Sequence, residues 1–163
     1  MPSGLLSPVL GQTSGTQPGR SVTSTHCDDR IARSLCAGAL NVVSLHGCTT
    51  SRAGLPDGTQ AVLVGGLNTT LKQYLMESLA AVGIQAEDAS GSEGLGGVNP
   101  ANIMNRTLLG QGAQLEITTP LRTVMFGTNT RAGRKNTTTQ VFWDVVHAVR
   151  QAVGRIEAEQ IVA

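Results

Sequence analysis

Three histidines, His26, His46 and His147, and one glutamate set in an apolar run, Glu116, are the side chains whose type and setting could do chemistry. His46 stands in "NVVSLHGCTT", where an apolar, β-branched stretch gives way to Gly and small polar residues. A neutral imidazole at that point could ligate a metal at the lip of a sheet, or it could hydrogen-bond at a strand terminus. His26 and Asp29, in "HCDD", have His-x-x-Asp spacing, which on a helix or turn presents two ligands to one ion. His147 falls in a C-terminal helical stretch and fits a partly exposed structural role. Glu116, in "AQLEIT", carries a burial penalty unless something exploits it, and a dry setting would raise its pKa. The alternative for Glu116 is a solvent face on an edge strand.

The elements that must position these residues follow from periodicity. "RSVTST" reads as a short strand leading into a helix over "HCDDRIARSLCAGAL". There Ile31, Leu35, Cys36, Ala39 and Leu40 recur at helical spacing, and Asp28 and Asp29 suit the helix start. "NVVSL" reads as a strand ending just before His46. The unbroken apolar run of "AVLVGG" marks a central strand covered on both faces. In "TTLKQYLMESLAAVGI" a stripe of Leu71, Leu75, Leu79 and Val82 predicts a helix that Gly83 ends. "SGSEGLGGVNP" is too glycine-rich to be regular, "ANIMNRTLL" suggests a short helix and "AQLEIT" a strand. A last helix over about Thr138 to Glu159 turns Val141, Val145, Val149 and Val153 inward. Strands alternating with helices imply an α/β domain, with an open mixed sheet in three layers and helices on both faces.

Composition narrows the function classes. A chain of 163 residues suffices for one domain with a core of its own. Its net charge is +1, and no segment concentrates Lys and Arg, so the electrostatic footprint of a nucleic-acid binder is missing. Three cysteines, Cys27, Cys36 and Cys48, have no zinc-binding spacing and suit free thiols in a reducing compartment. Residues 1–19 read as a flexible lead-in before a single domain over 20–163. The start has neither the pattern of a signal peptide nor that of a membrane span, so cytoplasmic synthesis is expected.

The segments "SVTSTHCDD", "VVSLHGCTT" and "NPANIMNRTLLGQGAQLEITTPLR" together resemble the phage and bacterial poly-γ-glutamate hydrolase family, zinc enzymes with a carboxypeptidase-like fold. The resemblance runs from about Ser21 to Arg122. It implies that His46 is a zinc ligand and Glu116 the general base beside the metal-bound water. It also makes Asn105 and Arg106 the substrate-binding pair, an Arg fork holding a carboxylate that an Asn amide helps to fix. The implied substrate is poly-γ-glutamate or another γ-glutamyl peptide, with release by lysis if the gene is phage-borne. The family pattern also has an early His-x-x-Glu that supplies two further zinc ligands, and no such motif occurs in this chain. The expectation is therefore a chain truncated at its N-terminal side relative to the family. Two classes of function stay open: a zinc-dependent hydrolase of γ-glutamyl amide bonds, and a non-catalytic carboxylate-binding or scaffold domain that has lost its zinc site.

Overall fold

The structure, a computed structural model, describes residues 23–161. The expected lead-in over 1–19 and the start of the "RSVTST" strand lie outside the described residues. Within them, Ser24–His26 is a single 3-10 turn and no strand. The elements that follow are α1 (Arg30–Ala37), β1 (Val43–Cys48), α2 (Thr50–Ala53), β2 (Ala61–Gly66), α3 (Thr69–Ala81) and β3 (Gln85–Asp88). After them come β4 (Ala113–Thr118), α4 (Thr119–Val124) and α5 (Gln140–Ile161).

The four strands form one mixed sheet in the order β1-β4-β2-β3. β4 runs parallel to β1 and antiparallel to β2, which is parallel to β3. Every residue of β2 and of β4 is buried, as a central strand requires. Along β4, Ala113, Leu115 and Ile117 face the main core with Val62 and Val64 of β2. This face is covered by α3, α4 and α5, through Leu71, Leu75 and Leu79, Leu121, and Val145, Ala148, Ala152 and Ile156. Val141, Val149 and Val153 pack at its margin, so the valine stripe points inward as its spacing predicts. The opposite face carries a smaller core of Cys48, Leu63, Ala89 and Leu95, covered by the short α2 and by loops. Three layers result, one of them built mostly of irregular chain.

Local signals act where they were expected at helix ends. Asp29 caps α1 by accepting from Ala32 N at 2.7 Å, and Asn68, which the sequence reading did not single out, caps α3 by accepting from Leu71 N at 3.0 Å. Gly83, at φ 76°, takes the left-handed turn that ends α3. Val82 lies beyond the last turn and is exposed, so the stripe stops at Leu79. "ANIMNRTLL" holds only a 3-10 turn, Ile103–Asn105.

The larger difference is at α1. Its apolar stripe faces outward: Ile31 is 74% and Leu35 70% exposed, and the helix buries no residue. Periodicity reports that such a stripe exists, whereas burial needs another element to receive it, and none of the described elements does. Denaturant unfolding should separate the two stripes. Leu75→Ala should lower stability by about 2–5 kcal/mol, since it opens a cavity in the main core. Ile31→Ala should stay within about 0.5 kcal/mol of wild type.

Candidate active site

β1 pairs with β4 through Cys48↔Thr118, so the strand continues two residues past His46 instead of stopping before it. This corrects the sequence reading: His46 sits inside an edge strand, with Gly47 and Cys48 still in the ladder rather than in a turn. In that register His46 is the direct partner of Glu116, which on its other side is the partner of Leu63. The pleat turns His46 and Glu116 to the face opposite the helices, where both line a cleft of about 570 Å³. The other walls are Thr23–Thr25, Arg52 and the glycine-rich chain around Gly94–Gly97, with Asn99 and Asn102.

Glu116 is 6% exposed on a central strand, which removes the edge-strand alternative. Burial pushes its pKa up, while His46, Arg52, the Gln114 hydrogen bond and Arg122 pull it partly back. Gln114 Nε2 donates to Glu116 Oε1 at 3.0 Å and to Leu95 O at 3.2 Å, and its Oε1 accepts from Asn102 Nδ2 at 3.3 Å. One amide thus fixes the carboxylate and the loop beside it. Gln114 was legible in principle, because strand alternation places residue i−2 on the same face as Glu116.

Glycines set how closely the walls approach. A Cβ on Gly65 would stand 2.4 Å from Gly96 O, so the cleft loop lies directly against the end of β2. A Cβ on Gly47 would stand 2.6 Å from Arg122 Cζ. Arg122 Nε donates to Ile117 O at 3.1 Å and its Nη2 to Thr119 Oγ1 at 2.9 Å, so the glycine of "SLHGC" makes room for a guanidinium packed across the ends of β1 and β4. Cys48, buried beneath the cleft, has its thiol pKa raised by burial and by the nearby Glu116. It serves as a small apolar side chain.

The remaining candidates lie elsewhere. Asn105 is buried with its amide fully engaged: Nδ2 donates to Gly97 O and Asn99 O, and Oδ1 accepts from Leu67 N and Gly112 N. Its place is to hold the cleft loop to β4, and it does not line the cleft. Arg106 donates to Ala101 O and opens on a separate pocket of about 340 Å³ with Arg30 and Arg33. The expectation that Arg106 shares the cleft with Glu116 therefore does not hold in the structure. A residue that precedes a strand by several positions has its direction set by the intervening turn, and here that turn leads away. Asp29 is occupied as the α1 cap and His26 hydrogen-bonds Thr23 and Thr25, so neither lines the cleft. His147 is exposed on α5, with its ring 6.2 Å from that of Trp143.

The cleft offers, among the described residues, His46 as its one imidazole and Glu116 as its one carboxylate. Among the described residues no group of three or more His, Cys, Asp or Glu side chains could hold a metal ion. A catalytic zinc takes three protein ligands, so the donor set described here does not fit one. No helix among the described residues is long and apolar enough to cross a membrane.

Fold and cleft together define a mixed-sheet α/β protein with a buried carboxylate facing a histidine across paired strands. The chain belongs to the poly-gamma-glutamate hydrolase family, whose model matches residues 12–148. It is 36% identical over 132 residues to the SPbeta prophage-derived protein YoqZ of Bacillus subtilis (strain 168), covering 79% of this chain and 46% of the relative. It is 30% identical over 129 residues to YmaC of the same organism, covering 79% and 52%. The chain thus spans about half the length of the curated relatives it matches. Of solved structures, it is similar to a bacteriophage poly-gamma-glutamate hydrolase at 34% identity and TM-score 0.73, covering 83% of this chain and 62% of that one. It is also similar to the zinc-free apo form of YndL, at 27% identity and TM-score 0.72, covering 81% and 62%. The expected class, an open mixed sheet of carboxypeptidase-like type, stands.

The cleft loop is tied from behind by a buried cation. Lys72 on α3 donates to Asp88 Oδ1 and Oδ2, each at 3.0 Å, and to Ser90 Oγ. Partial burial pushes the Asp88 pKa up, but the Ser90 hydroxyl and N–H and the Lys72 ammonium outweigh it and hold the carboxyl below its usual range. A folded-state pKa below the unfolded one gives stability that is present above the unfolded value and lost as the pH falls through the folded one. Amide protection at Gly96, whose N–H donates to Ser92 O, should therefore decline as the pH drops below about 4. Asp88→Asn should already be less protected at neutral pH and show no such decline.

Proposed function

We propose that this cleft cleaves γ-glutamyl amide bonds, with Glu116 as the general base. The observation that carries the proposal is the pairing of a buried, desolvated carboxylate with His46 in the cleft of a chain belonging to the poly-gamma-glutamate hydrolase family. In this reading Glu116 accepts a proton from the water whose oxygen attacks the γ-carbonyl carbon. It then returns that proton to the amide nitrogen as the C–N bond breaks. Gln114 holds the carboxylate in place. In this reading His46 is the zinc ligand that the family resemblance implies, but one ligand does not make a site, so no step is assigned to a metal.

A second reading is favoured by that shortage of donors: a domain that binds the γ-glutamyl chain through its carboxylates without cutting it. Turnover of poly-γ-glutamate by the purified chain, with zinc content measured on the same sample, separates the two. Under the hydrolase reading, Glu116→Gln keeps the fold and any metal content while turnover falls on the order of a hundredfold or more. An unchanged rate in Glu116→Gln removes the glutamate from the reaction. Binding of the polymer by wild type with no cleavage supports the binding domain.

A further inference from the structure

Among the described residues the cleft lining holds a single Lys or Arg, and it is Arg52. This arginine sits on α2, whose first turn is capped by Thr49: Arg52 N donates to Thr49 Oγ1 at 3.1 Å. Opposite it the chain passes as Gly94, at φ 71°, and a Cβ there would stand 3.2 Å from an Arg52 terminal nitrogen. The exposed guanidinium thus lies beside the glycine-rich wall at the cleft edge. Among the described residues it donates no hydrogen bond and pairs with no carboxylate; Arg30, Arg33, Arg131 and Arg150 share that state but lie outside the cleft, and the other described arginines are engaged. Arg122 bridges strand ends, Arg155 pairs with Glu77 at 2.8 Å, and Arg106 bonds Ala101 O.

We propose that Arg52, at the edge of the His46–Glu116 cleft, is the residue that reads the free α-carboxylates of a γ-glutamyl chain; this rests on the γ-glutamyl reading above. In such a chain the amide bond runs through the γ-carboxyl, so every residue keeps an anionic α-carboxylate. Bringing those anions beside the Glu116 carboxylate is repulsive unless a cation faces them. A planar guanidinium with no protein partner among the described residues meets a carboxylate with two parallel hydrogen bonds. The role that the resemblance assigned to Arg106 thereby passes to an arginine on α2 that lines the same cleft as His46 and Glu116.

The test is binding of a γ-glutamyl hexamer, and of the same hexamer with its α-carboxyls amidated, titrated at low salt. Glu116→Gln serves as the background, so that the oligomer stays uncut. With Arg52 present, the carboxylate form should bind about tenfold or more tightly than the amidated form, the difference a charge-assisted hydrogen bond makes. Arg52→Gln should abolish that preference, and Arg52→Lys, which keeps charge without the fork, should leave only part of it. Arg106→Gln should leave it intact. Equal preference with and without Arg52 overturns the assignment, as does a preference lost in Arg106→Gln instead. If neither oligomer binds the parent at all, the γ-glutamyl reading fails and takes the assignment with it.

Discussion

β4 is hydrogen-bonded on both sides, and the register it holds there determines both the core and the cleft. Its alternation sends Ala113, Leu115 and Ile117 under the helices and Gln114, Glu116 and Thr118 to the other face. A slip of one residue would drive the Glu116 carboxylate into the apolar core and expose Leu115 and Ile117. Burial of the apolar half of the strand is therefore what keeps the carboxylate at its station. Thr118 locks the end of the same strand, accepting from Ala61 N at 3.0 Å and donating to Thr59 O at 2.9 Å.

The two faces of the sheet are built on different principles. Under α3 and α5 the packing is leucine and valine against strand, and the face is closed. Across the sheet, irregular chain approaches the strands where glycine removes the Cβ, as at Gly65 against Gly96 and at Gly112 against Met104 O. Loops so placed leave backbone groups to be satisfied, and buried amides do it: Asn105 bridges Gly97, Asn99, Leu67 and Gly112, while Gln114 reaches Leu95. These amides are structural, yet they shape the cleft and hold one oxygen of Glu116. A loop surface with few apolar contacts can admit a ligand that a helix-covered face could not.

Two arginines near the same strand ends illustrate how environment divides roles among identical side chains. Arg122 lies over Gly47 with its nitrogens on Ile117 O of β4, Thr119 Oγ1 and Cys48 O of β1, so it joins two strands. Arg52 lines the cleft with no protein partner among the described residues. Both lower the cost of keeping charge on Glu116, but only Arg52 lines the cleft.

Much of the framework was legible in the chain itself. The apolar runs of β2 and β4, the leucine stripe of α3, the valine stripe of α5 and the caps at Asp29 and Gly83 are local patterns with local physical causes. His46 and Glu116 could be singled out because each interrupts such a pattern. The strand order β1-β4-β2-β3, the outward turn of Ile31 and Leu35, the extension of β1 beyond His46 and the exchange of Arg106 for Arg52 at the cleft were decided by tertiary structure alone. Each depends on which distant segment pairs or packs against which, and a period of two or 3.6 residues holds no record of its partner.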